Sequence, residues 1–321
     1  MKLARNLALA AVAAGFALPA AAQTVGIATN PQGSLYYRVG AAVAKLMNEK
    51  LEIKARVQPF SGSSTYIPLI SSHEVQMGLV NVSDSVKAPK GEGAFEGRPQ
   101  PNLRALNVMF ALPFAFLVPD DSPIKKLEDV KGKRVPTAFT SQTTINDLQA
   151  AILANGGMKP SDVKGYPVPN VFKGVDVLGE DKVEAAATAV GIAAIQKANI
   201  KMRSRGGVRF IPINTDKEAL ARMSAVVPSR PMTLNPAPHL TGIKQPTATM
   251  AFLAFLTAND KMPDETAYNI VKMLHGSKPE LVKITKALSS FDPKGMTFRF
   301  DAEYHPGAIK FYKEIGQWPP K

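Results

Sequence analysis

The chain has 321 residues, 45% hydrophobic and 20% charged, with no cysteine and a net charge of +13 from 39 Lys and Arg against 26 Asp and Glu. That length is enough for one large α/β body or two domains held by burial alone. Without cysteine, disulfide bonds and thiolate catalysis are excluded.

The chain opens with Met1-Lys2-Leu3-Ala4-Arg5, continues through an apolar run from Leu7 to Leu18, and reaches Ala20-Ala21-Ala22. A basic start, a short apolar core and a small-residue end form a secretory signal peptide over 1–22, cleaved after about Ala22, so the mature protein is expected to be exported. The apolar run is too short to span a bilayer, and nothing later approaches the length of a transmembrane helix.

Val25-Gly26-Ile27-Ala28 reads as a short buried strand. Val39, Val43, Leu46 and Met47 fall at helical spacing, so Asn30 to Gly40 is a strand-to-helix turn. Ser34 can cap that helix, and the helix start can face an anion through free backbone N–H groups. Ile53 to Val57 alternates as a half-buried strand and ends at a second small-residue turn, Ser61-Gly62-Ser63-Ser64-Thr65. Tyr66, Leu69 and Ile70 continue as a helix, with Pro68 placed in its first turn. Val75 to Val80 is a third strand and delivers Asn81-Val82-Ser83-Asp84. Three strands ending in polar turns matter more than any one turn, because open α/β sheets bind ligands beyond the carboxyl ends of their strands.

Lys87 to Pro101 reads as a loop, and its glycines at 91, 93 and 97 lack the spacing and leading strand of a dinucleotide fingerprint. Leu103 to Phe110 and Phe114 to Val118 read as two strands flanking Pro113. Ser122 to Val130 reads as a short helix capped by Ser122, followed by a strand through Val135. A fourth polar turn, Thr140-Ser141-Gln142-Thr143-Thr144, leads into a helix burying Ile145, Leu148 and Ile152 and stopping at Gly156-Gly157. A helix from Val175 to Lys182 precedes a small-residue strand opening at Gly191, and Ile192 to Ala198 is helical. The basic run from Lys201 to Arg209 carries no RNA-recognition or zinc-finger signature and reads as a solvated loop, with no nucleic acid expected as a partner. Val208 to Ile213 is a strand, Thr215 to Met223 a helix capped by Thr215, and Pro228 to Pro246 a linker or surface loop. The chain ends with an apolar strand, Thr247 to Leu256, and helices at 263–274, 279–288 and 307–315.

Enzyme chemistry finds no support in these residues. The four histidines, at 73, 239, 275 and 305, have no metal-ligand spacing, and His305, just before Pro306 and a helix, reads as structural. Nucleophile elbow, Walker A loop and Ser-x-x-Lys motif are all missing, and the carboxylates are scattered singly. No cofactor and no metal are expected. What the chain concentrates in its turns is hydroxyl, amide and glycine, groups that hold a polar solute through neutral hydrogen bonds; Tyr36-Tyr37 can add a phenol.

Gly33-Ser34-Leu35-Tyr36-Tyr37-Arg38-Val39-Gly40 resembles the opening motif of the TAXI solute receptors of tripartite ATP-independent periplasmic (TRAP) transporters. Leu103-Arg104-Ala105-Leu106 and Ser122 to Val135 are similar to that family's entry into its second lobe, and His305 to Gly316 to its C-terminal motif. The resemblance implies an α/β, type II-like periplasmic-binding-protein architecture: two lobes, 23–112 plus 245–321 and 113–244, with a ligand cleft between them. It implies a monomeric receptor, exported to the periplasm, that binds a small anionic solute (glutamate, 2-oxoglutarate or a related organic acid) and delivers it to TRAP membrane subunits. Implied ligand contacts are Gly33, Ser34 and Tyr36; Gly62, Ser63 and Ser64; and Thr140, Ser141, Gln142 and Thr143. Asn81, Ser83 and Gly191, at other strand ends, join them as candidates. Ser34, Ser63 and Ser64 would hold one carboxylate, Thr140, Ser141 and Thr143 would complete the site on closure, and Arg104 and Arg134 are candidate charge partners. Where the family commonly carries Pro-Gly-Ser-Gly-Thr, this chain has the glycine-free Thr140–Thr144 turn with the bulkier Gln142. The alternatives are a secreted ligand-presenting sensor partner or immunogenic protein of the same fold without transport, and a hydrolase with an unrecognised site.

Overall fold

The computed structural model describes residues 24–320; the expected signal peptide lies outside the described residues. In chain order come β1 (Val25–Thr29), α1 (Leu35–Lys50), β2 (Ala55–Pro59), α2 (Ser63–Ser71), β3 (Met77–Asn81) and α3 (Val82–Lys90). The long β4 (Leu103–Pro119) leads to β5 (Arg134–Ala138), α4 (Thr144–Asn155), β6 (Lys164–Val168), α5 (Val171–Gly179), β7 (Ala186–Ala189) and α6 (Ala193–Lys201). Then follow β8 (Val208–Phe210), α7 (Lys217–Val226), β9 (Arg230–Leu234), the long β10 (Thr247–Asn259), α8 (Asp264–His275), α9 (Lys278–Ile284) and α10 (Pro306–Glu314).

The main sheet runs β2-β1-β3-β10-β4-β7, with β8 added to β4 and β9 to β10. β1 pairs in parallel with β2 and β3, whereas β10 runs antiparallel to both β3 and β4. β4 and β10 pair with each other from Leu103 opposite Asn259 to Phe114 opposite Met250. Toward one end β10 also pairs with β3; toward the other, β4 takes up β7 and β8 while β10 takes up β9. Two long strands thus pass through both halves of the molecule, and β5 and β6 form a separate parallel pair in the second half. Apolar residues of α1, β3, β4 and β10 share one buried cluster with α4, α5 and α6.

Several sequence expectations change here. Pro113 does not divide two strands: β4 is continuous, and the Pro113 carbonyl accepts from Val190 N at 2.9 Å where β4 meets β7, so the proline forfeits one donor there without ending the strand. Pro68 lies in the second turn of α2, which starts earlier, at Ser63. Residues 87–90 continue α3 instead of starting a loop, because Asn81 caps a helix through Asp84 N. Ser122 accepts from Ile124 N but starts no helix; a short 3-10 turn forms only at Leu127–Val130. Asp216, not Thr215, caps α7. The Pro-rich 228–246 segment contains β9, and β6 is an additional strand. The basic run is a brace: Arg205 pairs with Asp121 and Asp181, and Arg209 donates to the carbonyls of Asp120, Ser122 and Ile124. His305 is fully buried, accepts from Gly307 N at the start of α10 and meets the Met262 carbonyl through Nε2. No helix of the described residues is long and apolar enough to cross a membrane.

Candidate functional site

The carboxyl ends of β1, β3 and β7 and the turns opening α2 and α4 meet around a cavity of about 40 Å³. Ser34 reaches it from the start of α1, where its Oγ accepts from Tyr37 N at 3.0 Å. That bond caps a 16-residue helix, so Ser34→Ala should cost about 1 kcal/mol, read as a fall in Tm of about 2–4 °C, whereas Ser34→Gly should cost only a few tenths. Comparing the two in calorimetry separates the cap from any contact made by the hydroxyl. Tyr36 is buried beside the cavity with its ring edge-on to Phe110 at 5.2 Å, and burial pushes its phenol well above its ordinary range, the Asp84 charge adding to the effect.

From α2 comes Ser63, from the end of β3 Asn81, and from the start of α4 Thr144. All three converge on the Asp84 carboxylate, which is 2% exposed. Asn81 Nδ2 and Thr144 Oγ1 each donate to Asp84 Oδ2 at 2.8 Å, and Ser63 Oγ donates to the same oxygen. Burial raises the Asp84 pKa, while the three donors, Ser63 foremost, pull it back down. Thr144 and Asp84 belong to opposite halves of the molecule, so this bond spans the cleft. So does the Lys87–Asp147 ion pair at 2.6 Å, one helical turn along α3 and α4. Gln142 covers the cleft at its second-half turn; its Oε1 accepts from Val171 N at 3.1 Å, and its aliphatic part rests on Gly62. The remaining wall is apolar and includes Leu112 and Phe114 of β4, Phe252 of β10, Ile145 and Leu148 of α4, and Phe172 of α5.

Of the residues singled out from the sequence, Ser34, Tyr36, Ser63, Asn81 and Gln142 line this cavity. Gly62 lies against Gln142, Gly33 faces Ala193 across the cleft with φ +91°, and Gly191 has φ +83° near Leu240. Ser64, Ser83, Thr140, Ser141 and Thr143 do not line it. The Thr140 and Ser141 N–H groups instead bond the carbonyls of Val168 and Pro169, extending the β5–β6 pairing. Ser83 Oγ and Thr143 Oγ1 are enclosed without a partner among the described residues. Arg104 is bound to Glu303 and to the carbonyls of Pro101 and Leu103, and Arg134 pairs with Glu184; neither lines the cavity. Indeed no Lys or Arg among the described residues lines it. Sequence reasoning did not select Asn30, Asp84 or the aromatic wall. Among the described residues no group of three or more His, Asp or Glu is placed to hold a metal ion.

A larger groove, about 660 Å³, is lined by the middle of β4, by β9 and by residues 290–298, and takes only Val82 from the polar turns. The smaller cavity is the one on which the strand ends converge, where an open α/β sheet places its ligand.

Solved structures with this arrangement include the periplasmic aliphatic sulphonate binding protein SsuA from Escherichia coli, 15% identical over 93% of this chain and 94% of that one, with a TM-score of 0.51. A Streptococcus mutans structure, described with glutathione import via GshT and the cystine ABC importer TcyBC, is 15% identical over 87% and 98%, TM-score 0.51. The ligand-binding component of an ABC-type import system from Staphylococcus aureus is 10% identical over 93% and 94%, TM-score 0.50. At these identities the likeness is one of fold: an α/β, two-lobe periplasmic-binding-protein architecture with the cleft between its lobes. Residues 27–316 match the NMT1-like family, and the chain belongs to that family.

Proposed function

We propose that this protein is an exported solute receptor that closes two lobes, 23–112 plus 245–321 and 113–244, on a small carboxylate-bearing solute and presents it to TRAP-type membrane subunits. The observation that carries the reading is the cleft itself. Polar groups from α1, α2, β3 and α4 converge on one cavity beside the crossing strands, and contacts such as Thr144 to Asp84 form only when the lobes meet. A solute that adds contacts to both lobes favours the closed state by its differential affinity, which is the two-state signal a membrane partner can read. The motifs shared with the TAXI receptors support the TRAP assignment. Within the cleft a carboxylate finds its donors on one side: the Ser34 hydroxyl, whose oxygen but not proton is taken by Tyr37 N, and Gln142 Nε2, whose amide oxygen is held by Val171 N. Thr140, Ser141 and Thr143 take no part in that role. The test is a thermal-shift screen of organic acids and amino acids on the mature chain, followed by calorimetric titration. A solute at 100 times its Kd stabilises by about 2.7 kcal/mol, so a true ligand raises Tm by about 5 °C or more. If no compound in the screen shifts Tm, the receptor reading fails.

A further inference from the structure

The hydrogen-bond directions around Asp84 restrict what the cleft can hold. Ser63 and Thr144 each own one hydroxyl proton, and both protons point away from the cavity to Asp84 Oδ2. Toward the cavity these hydroxyls therefore present lone pairs only. Asn81, the third lining group at this end, also has its amide N–H groups turned away, one to Asp84 Oδ2 and one, at 3.3 Å, to Ser63 Oγ, which keeps its remaining lone pair for the cavity. Asn30 Oδ1, on the same cavity, is an enclosed acceptor with no partner among the described residues. Behind this acceptor surface sits a carboxylate whose side-chain donors among the described residues all go to Oδ2, and no Lys or Arg of the described residues lines the cavity, Lys87 being engaged by Asp147. Across from it the wall is apolar, with Phe114, Phe172 and Phe252.

From this arrangement we propose that the ligand carries a protonated amine, held by the oxygens of Ser63, Thr144 and Asn30 over the Asp84 carboxylate, with an apolar portion against the three phenylalanines. The proposal rests on the receptor reading and names its solute class: an amino acid or related amine with an apolar side chain, in place of a purely anionic acid. Its carboxylate goes to the Ser34 and Gln142 side, away from Asp84; a dicarboxylate or oxo acid would bring a second acceptor to a surface that has only acceptors. Asp84 acts here as the specificity-determining group. The three donors on Oδ2 favour its ionised form against the cost of burial, and an ammonium group favours it further. The other titratable groups around it, Tyr36, Tyr66 and Asp147, supply no positive charge.

The experiment compares matched pairs by calorimetric titration at pH 7: leucine against 4-methyl-2-oxopentanoate, phenylalanine against phenylpyruvate, and glutamate against 2-oxoglutarate. The expected result is that, for at least one apolar pair, the amine binds ten-fold or more tighter than its oxo partner. Asp84→Asn keeps the shape and acceptor oxygen but removes the charge, and should cut that preference at least ten-fold while a circular-dichroism melt remains cooperative. Thr144→Val, which removes one cavity-facing acceptor and one of the donors that hold Asp84 ionised, should weaken the amine more than its oxo partner and serves if Asp84→Asn does not fold. An oxo acid that binds as tightly as its amine, or an amine preference unchanged in both variants, overturns the proposal and leaves the receptor reading intact. Failure of every compound, here and in the wider screen, overturns the receptor reading instead.

Discussion

Gly307→Ala should cost about 3 kcal/mol or more of stability, a fall in Tm of about 6–12 °C in a calorimetric scan of the unliganded protein. Gly307 opens α10 where that helix crosses α8. A Cβ there would lie well inside contact distance of the Asp264 carbonyl oxygen, and within 3.0 Å of its Cα and carbonyl carbon. The obstacle is backbone, so no side-chain rotation relieves it; α10 has to move away from α8. That movement would disturb His305, which caps α10 and meets the Met262 carbonyl, and Tyr312, whose hydroxyl donates to the Leu106 carbonyl at 2.9 Å. The Tyr312 bond, with the His305 N–H that donates to the Ala105 carbonyl at 2.9 Å, ties the last helix to β4, so the strain spreads into that strand. A shift below about 2 °C would mean that the two helices are not packed as described. Lys283→Ala, at an exposed position in the last turn of the neighbouring α9, is a suitable control.

The alternation of strands and helices was legible because each early element has its own periodicity. β1 and β3 are short apolar runs, and α1 repeats Val39, Val43, Leu46 and Met47 on one buried face. What escaped was structure made by partners distant in sequence. β6, with three of its five residues exposed and a proline among them, is a strand only because β5 pairs with it. β9 is an edge strand read as a proline-rich loop until β10 is set beside it. β4 reads as broken at Pro113 because propensity cannot anticipate that pairing with β10 on one side and β7 on the other carries the strand past a single missing donor.

The site divides in the same way. Ser34, Ser63 and Gln142 were legible from the small, hydroxyl-rich turns that carry them. Asp84 was not. Three residues after an Asn cap, an acid reads as an ordinary first-turn carboxylate favoured by the helix dipole. Nothing local says that Ser63 and Thr144, the second 60 residues away, will both point at it. The aromatic wall was hidden for the opposite reason: Phe114 and Phe252 fit a strand core, and only the crossing of β4 and β10 leaves them at the cleft. The lone buried carboxylate and the phenylalanines turn an anion pocket inferred from hydroxyls into one with acceptors and apolar surface.

Gly62→Val should weaken solute binding at least 100-fold, equivalent to about 2.7 kcal/mol, while changing the Tm of the unliganded protein by less than about 2 °C. Gly62 has φ 179°, extended backbone that any residue adopts, so valine imposes no conformational strain there. What a Cβ meets is Gln142: its Cγ at 2.8 Å and its Cα at 3.2 Å. With the two lobes proposed above these atoms belong to the other lobe, so on that reading the clash exists only when the lobes are closed and vanishes when they separate. Folding of each lobe is untouched, and the penalty falls on the closed state alone, where a solute gains its second set of contacts. Small-angle scattering should then give a larger radius of gyration for the variant than for the parent in saturating solute. Gln142→Ala removes the clashing Cγ together with the Nε2 donor proposed for the solute, so in the Gly62→Val background it should restore closure, read as a smaller radius of gyration in saturating solute than Gly62→Val alone gives, without restoring the full affinity. A double variant no more compact than Gly62→Val would show that Gly62 does not act through Gln142. A Gly62→Val protein that binds like the parent would mean that solute is held without this contact between lobes, and with it the closure linking Asp84, Thr144 and Gln142 would be lost as the basis of recognition.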